Sequence, residues 1–460
     1  MKPDVAINPW TGDEVWSRIA DTEADIDAVI GRAQRAYLAT RRDSGLSRAQ
    51  RLRTAADAVS GDRAALVELL VRCIGKPVRA ANVEVTRTVE VLRLSAEEIA
   101  RATGETLPLD AVANGQGRWG LTFREPYGVA ALVTPFNAPL NLLAQKLAPA
   151  LACGNTVVVK PSVEGAAVTE RLLRTLTTCF ADDAIQVVHG GPDQVRALVA
   201  DSRVRVVSLT GGAAAGEAVL AAAGIKPVHL ELGSNSPNIV LADADIESAA
   251  KQIARAAFEA SGQQCISAQR IIVAESIVEQ FTVALCDEAA AMVVGDPSDE
   301  KTDVGPVVHT RSARRIAAMI ADAEKWGGRV VLDGRTYSAD NERLIGPTIV
   351  ADSPATASVR CEEAFGPVAV IIPVADLDEA VTVANDVPGL LQASCFTRDL
   401  AAAMRAADLV SAGAVWINEA TRFRLDIYPF GGTGTSGLGR EGIKYAMEAF
   451  SQTKFVGVTP

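Results

Sequence analysis

A cysteine attacks a carbon only as its thiolate, so the surroundings of each thiol decide whether it can do chemistry. The seven here, Cys73, Cys153, Cys179, Cys265, Cys286, Cys361 and Cys395, form no C-x-x-C. An odd, scattered set fits a reduced compartment, with neither a disulfide framework nor a zinc site. Cys265 lies in Gly262-Gln263-Gln264-Cys265-Ile266, and an isolated intracellular cysteine is usually a small buried hydrophobe. No histidine is near it in sequence to make the Cys–His pair of a papain-like hydrolase. His189, His229 and His309 are the only histidines, and none has a second at metal-ligand spacing, so no metal is expected. Glu231, in His229-Leu230-Glu231-Leu232-Gly233, sits at the end of a strand-like run. A carboxylate there must be paired, solvated or functional, and a poised acid or base is the functional case.

Two glycine-rich runs could approach a phosphate. Gly432-Thr433-Gly434-Thr435-Ser436-Gly437 is a literal G-x-G-x-x-G, but Pro429-Phe430 precede it where a dinucleotide fingerprint needs a strand. It reads as a packed glycine turn. Thr210-Gly211-Gly212 follows the apolar run Val204–Leu209 and opens an Ala-rich helix, where backbone N–H groups at a helix N-terminus can meet a phosphate.

The elements that must hold these residues follow from hydrophobic spacing. From Trp16 to Ala102, apolar residues such as Ile26, Val29, Ile30, Ala33 and Tyr37 recur at helical intervals. From Gly128 onward, short β-branched runs alternate with helical stretches. Strands are expected at Val129–Thr134, Thr156–Lys160, Ile185–His189, Val204–Leu209 and Pro227–Leu232. Helices are expected at Pro139–Ala152, Val168–Thr178, Asp193–Ala200 and Ala214–Ala223. That alternation implies right-handed crossovers and a doubly wound parallel α/β sheet, which binds ligands at the strands' carboxyl ends. A second α/β region, with strands at Arg270–Ala274, Ala369–Val374 and Gly413–Ile417, runs from about Asp243 to Thr433. The tail Lys454–Val458 reads as a strand with nothing local to pair with.

With 460 residues the chain is too long for one ordinary core and is expected to form two or three domains. Its 45 Lys+Arg against 56 Asp+Glu give a net charge of −11, with no basic block to follow a phosphate backbone, which excludes nucleic acid as the natural partner. The uncharged stretch from Pro126 to Gln145 is interrupted by Pro135, Asn137, Pro139 and Asn141, so a soluble strand, loop and helix is expected in place of a membrane span. The N-terminus lacks the apolar core of a secretory signal, and a cytoplasmic location is expected.

Six blocks taken together resemble the aldehyde dehydrogenase superfamily in its non-acylating branch. They are Thr134-Pro135-Phe136-Asn137, Lys160-Pro161-Ser162, Glu231-Leu232-Gly233, Gly262-Gln263-Gln264-Cys265, Glu362-Glu363-Ala364-Phe365-Gly366-Pro367, and Pro429-Phe430-Gly431-Gly432 with Ser436-Gly437-Leu438-Gly439. The resemblance extends over essentially the whole chain. It implies a Rossmann-like cofactor domain (1–104 and 125–231), a catalytic domain (232–432), a return segment (433–446) and oligomerisation strands (105–124 and 447–460) that build a homodimer or homotetramer. It also implies that Cys265 attacks the aldehyde carbon and that Glu231 activates the water that cleaves the resulting thioester. Asn137 and the Cys265 backbone N–H would hold the oxyanion, each such donor being worth roughly 3–4 kcal/mol. The implied cofactor is NAD or NADP. Lys160 would hold its adenosine ribose, Glu363 its nicotinamide ribose and Phe365 the ring beside it. Thr134, Pro135, Phe136, Ser162, Val163, Gly211, Gly212 and Leu232 would border it.

Departures from the pattern refine the expectation. Val163 stands where NAD-selective relatives often carry Glu, which removes one barrier to the 2′-phosphate of NADP, while the neighbouring Glu164 is placed to compensate. Gly212 stands where many relatives have Ser. Glu231-Leu232-Gly233-Ser234-Asn235-Ser236-Pro237 resembles the subgroup near lactaldehyde and phosphonoacetaldehyde dehydrogenases. Two arginines, Arg422 and Arg424, fall where the resemblance puts the rim of the aldehyde tunnel. They could grip an anionic substrate or simply pair with Asp426 or Glu419. Alternatives on the same scaffold are a coenzyme A-dependent acylating enzyme, a thioester hydrolase and a crystallin-like protein without catalysis. The last predicts loss of the nucleophile or base, and both are present.

Overall fold

The computed structural model describes residues 3–339 and 341–459. Successive side chains of a strand point to opposite faces, so a strand buried on both sides must be apolar throughout. Val129–Val133 meets that requirement, and its residues divide between two cores. Ala130 and Leu132 join the helices Gly45–Gly61, Val78–Glu98, Asn141–Cys153 and Ala166–Thr177, while Val129, Ala131 and Val133 join the helices Glu23–Thr40, Pro192–Ala200 and Ala213–Ala223. The sheet around it reads, edge to edge, Gly437–Leu438, Val228–Glu231, Val204–Thr210, Val129–Val133, Thr156–Lys160 and Ile185–Val187. All are parallel except Gly437–Leu438. Thr134, Lys160, Thr210 and Glu231 therefore gather at one edge of the sheet, at or just past the carboxyl ends of four neighbouring strands.

The helical N-terminal region begins later than its composition implies. Glu14–Arg18 is a strand paired with Asp4–Ile7, and the first helix starts at Glu23. A capping box sets that start: the Thr22 side chain accepts from Asp25 N–H, and the Asp25 carboxylate accepts from Thr22 N–H.

A second sheet reads Arg329–Leu332, Thr348–Ala351, Val368–Val374, Ala268–Ala274, Ser236–Val240, Gln392–Phe396 and Ala414–Ile417, parallel apart from its first pair. The G-x-G-x-x-G near the end of the chain is a tight turn at Gly434–Ser436 leading into Gly437–Leu438, which pairs with the Glu231 strand. It carries no helix N-terminus. The tail has no local partner, as its sequence implies, but finds a distant one in the same chain: Ser451–Val458 pairs along its length with Trp119–Pro126, next to Thr106–Leu107. The sequence could not reveal this, because the two strands lie more than three hundred residues apart. The outer edge of Ser451–Val458 stays open, and Trp119, Leu121, Phe123, Phe455 and Val458 are exposed on this sheet. Among the described residues, no helix is long and apolar enough to cross a membrane.

Candidate active site

Helix Ile246–Phe258 delivers the chain to Cys265 through an unusual loop. Ala260, Ser261 and Gly262 are all left-handed, at φ 53°, 61° and 61°. A non-glycine residue in that conformation costs on the order of 1–3 kcal/mol, so the surroundings must hold it. They do: Ser261 Oγ donates to Gly305 O at 2.7 Å, Ala260 N–H to Asp303 O at 3.2 Å, and Gln263 Oε1 accepts from Val308 N–H at 3.0 Å. Gly262 has no alternative, since a Cβ there would lie 2.2 Å from the Gly366 carbonyl oxygen.

Cys265 and Asn137 line one cavity of about 550 Å³. The Asn137 amide donates to the Gln263 carbonyl at 2.9 Å, which orients it against the loop that carries the cysteine. Its second N–H and the Cys265 backbone N–H have no acceptor among the described residues, leaving two donors beside the thiol. Burial pushes the Cys265 thiol up to about 12; Arg424 opposes this, and Glu363, Glu231 and Glu441 add to it.

Glu231 is 5% exposed, and its Oε2 has no hydrogen-bond partner among the described residues. Burial, reinforced by the negative charge of Glu441, holds its carboxyl well above the usual range against the pull of Lys146, Arg424 and Arg440. Glu441 is the anion of this pair. Although burial opposes its charge, Lys146 at 2.5 Å and Arg424 at 2.8 Å hold its carboxyl below the ordinary value. Two carboxyls in one low-dielectric region are thus pushed in opposite directions, the pattern of an acid/base site.

The remaining candidates lie at or near the sheet's carboxyl edge. Lys160 ends its strand and is 7% exposed, and its ammonium has no ion-pair partner among the described residues; burial lowers its pKa against Asp4 and Glu164. Ser162 N–H donates to Thr134 O and Thr134 N–H to Lys160 O, which fixes Thr134, Pro135, Phe136, Ser162 and Val163 as one surface. Glu164 pairs with His309 Nε2 at 2.8 Å. Gly211 and Gly212 precede the helix Ala213–Ala223, and open space surrounds the Cβ position of Gly212. Glu363 accepts from Ser234 N–H at 3.2 Å, and burial raises its carboxyl to about 7. A Cβ on Gly233 would be 2.2 Å from Glu363 Oε2, so Gly233 keeps that carboxylate in place. Phe365 and Phe136 meet edge to face at 5.9 Å, and the Leu232 N–H donates to Ser436 O. The buried hydroxyls of Thr134 and Thr210 have no partner among the described residues. Unpartnered hydroxyls, a free ammonium and an open helix N-terminus at the strands' carboxyl ends fit a dinucleotide with its pyrophosphate at the glycines.

The two arginines separate. Arg422 faces the cavity at 27% exposure, with Nε on Gln264 Oε1 at 3.1 Å and a terminal nitrogen on Glu259. Arg424 is not at a solvent-exposed rim. It is 5% exposed, bound to Glu441, with its guanidinium carbon 3.6 Å from the Phe430 ring centroid. Asp426 pairs with Arg87 instead of with either candidate. Sequence alone assigned no role to Lys146, Glu441 or Arg87, and Asp426 entered only as a partner for the two arginines. Lys146 had a usable signal: it interrupts an apolar helix, Asn141–Cys153, and a charge there must find a buried partner. Among the described residues, no group of three or more His, Cys, Asp or Glu side chains could hold a metal ion.

The family model described as "Aldehyde dehydrogenase family" matches residues 4–456. The chain is 37% identical over 389 residues to lactaldehyde dehydrogenase of Methanococcus maripaludis, covering 83% of this chain and 81% of that one. It is 35% identical over 437 residues to 3-sulfolactaldehyde dehydrogenase of Priestia aryabhattai, covering 95% and 90%. Among solved structures, glyceraldehyde-3-phosphate dehydrogenase of Methanocaldococcus jannaschii, complexed with NADP, superposes with a TM-score of 0.95 at 32% identity and covers all of both chains. With a family match along almost its whole length and relatives and solved structures of that activity covering most of it, the chain belongs to the aldehyde dehydrogenase family and is an NAD(P)-dependent oxidoreductase acting on an aldehyde.

Proposed function

We propose that the protein converts a small, anionic aldehyde to the free carboxylic acid through a thioester on Cys265. The observation that carries this reading is the shared cavity of Cys265 and Asn137, with two unused N–H donors beside the thiol. Sulfur attack on the carbonyl carbon forms a hemithioacetal, whose oxyanion accepts from the Asn137 amide and the Cys265 N–H. A bound nicotinamide dinucleotide supplies the hydride acceptor for oxidation to the thioester. Glu231 then takes a proton from water as the water attacks the thioester carbon, and the acid leaves as Cys265 regains its thiol. Lys160, Glu363, Phe365, Gly211 and Gly212 are the residues we assign to the cofactor. Val163 leaves both NAD and NADP open.

An aldehyde panel run with NAD or NADP, with products separated in the presence and absence of coenzyme A, tests this reading. Free acid is expected in both cases, and acyl-coenzyme A as the obligatory product would overturn it. The free, scattered cysteines support a cytoplasmic location.

Arg422 is the residue we assign to the substrate's anionic group, with Gln264 and Glu259 holding the guanidinium in the cavity wall. A charged hydrogen bond is worth about 1.5–3 kcal/mol. Arg422→Ala is therefore expected to raise KM for succinic semialdehyde or phosphonoacetaldehyde roughly ten- to a hundredfold more than for propanal. Equal changes would leave Arg422 as a partner of Glu259 alone.

The open edge of Ser451–Val458 and the exposed aromatic residues on its sheet support a homodimer or homotetramer. Light scattering at micromolar concentration is expected to give two or four chain masses; a stable monomer would remove this part of the proposal.

A further inference from the structure

Arg424 occupies a position from which it acts on the nucleophile. Its side chain is buried; one terminal nitrogen is spent on Glu441, and its Nε–H is enclosed with no acceptor among the described residues. The guanidinium lies over Phe430. Cys265 packs against the apolar cluster of Ile266, Leu391 and that same Phe430, and both Cys265 and Arg424 line the cavity. An arginine cannot lose its proton, so this is a permanent positive charge in a region where water screens little.

The other charged groups around the thiol do not offer that charge. Burial holds the Glu231 carboxyl well above the usual range, Glu441 is the anion between Lys146 and Arg424, Glu363 accepts from Ser234 N–H, and all three push the thiol up. Arg422 is spent on Gln264 Oε1 and on Glu259, and it is not among the groups that lower the thiol. We infer that Arg424 is a positioning residue whose buried charge and unspent N–H favour the thiolate of Cys265, and that it does not bind substrate. This rests on the assignment of Cys265 as nucleophile and extends it by naming what offsets the cost of a buried thiolate. Burial raises that thiol, and Arg424 is the group that opposes the rise.

The test is the pH dependence of Cys265 alkylation by iodoacetamide in the full-length protein without aldehyde, followed by the mass of the Cys265 peptide. Arg424→Met is expected to move the alkylation midpoint upward by a pH unit or more, slowing labelling at fixed pH about tenfold; Arg424→Lys should stay closer to the parent. Because Arg424→Met strands the Glu441 carboxylate, the comparison is repeated in the Glu441→Gln background, where the same upward shift is expected. An unmoved midpoint in folded protein overturns the inference. So does an Arg424→Lys variant whose KM rises far more for phosphonoacetaldehyde than for propanal, since that behaviour belongs to a substrate-gripping arginine. The labelling reads the thiol whether or not Cys265 is the nucleophile; retained turnover in Cys265→Ser would instead sink the parent assignment.

Discussion

Replacing Cys265 by serine is expected to lower aldehyde oxidation by roughly 10⁴-fold or more, the scale seen when a covalent nucleophile is removed. Cofactor binding should survive, because the side chains assigned to it, Lys160, Glu363 and Phe365, lie on other segments. The serine hydroxyl would have no adjacent base: among the described residues the three histidines are bound to Glu170, Glu164 and the Ala449 carbonyl, and none hydrogen-bonds to Cys265. Reduced-nicotinamide absorbance with a saturating aldehyde measures the loss, and quenching of the protein's tryptophan fluorescence measures cofactor binding. Substantial turnover by Cys265→Ser would remove Cys265 from the mechanism.

The second large effect is expected at Glu231. A general base contributes typically 10²–10⁴-fold, so Glu231→Gln should lower kcat by at least about a hundredfold. The loss should fall on thioester hydrolysis and leave hydride transfer intact. A pre-steady-state burst of reduced cofactor, close to one per active site, should therefore persist in the variant. The pH dependence has a definite sign. Glu231 works as a base only when ionised, and burial with Glu441 nearby holds its carboxyl above the ordinary carboxylate value. The parent enzyme's kcat is expected to rise with pH through that elevated pKa, and Glu231→Gln should lose this limb. A burst that vanished while cofactor binding remained would mean that Glu231 acts before the thioester forms.

Much of the scaffold is legible in the chain, because the central strands of the first sheet are buried on both faces and so carry nearly continuous apolar runs. Thr156–Lys160 is bounded in the structure as its β-branched run implies, and Val129–Thr134 and Val204–Leu209 each differ at one end by a single residue. Glu14–Arg18 was hidden in a helix-rich region, since five residues are too few for a period to declare itself. The pairing of Ser451–Val458 with Trp119–Pro126 was invisible for a different reason: strand partners far apart in sequence leave no local signal.

The sequence by itself determined the family resemblance, the parallel α/β class, and the identities of Cys265, Glu231 and Asn137 as residues whose types and neighbours demand an explanation. Those properties are local, written in short blocks and in hydrophobic spacing. What only the tertiary structure decided is how charge is distributed around them. Arg422 and Arg424 are two residues apart and look equivalent as letters, and both line the cavity, yet the Arg422 side chain is partly exposed and bound to Glu259 while that of Arg424 is buried over Phe430 against Glu441. Glu231 and Glu441 are both glutamates, but only Glu441 has Lys146 and Arg424 within hydrogen-bond distance, so the Glu441 carboxyl is held low while burial pushes that of Glu231 up. Protonation and charge depend on burial and on partners brought from distant segments, and those distances exist only once the chain has folded.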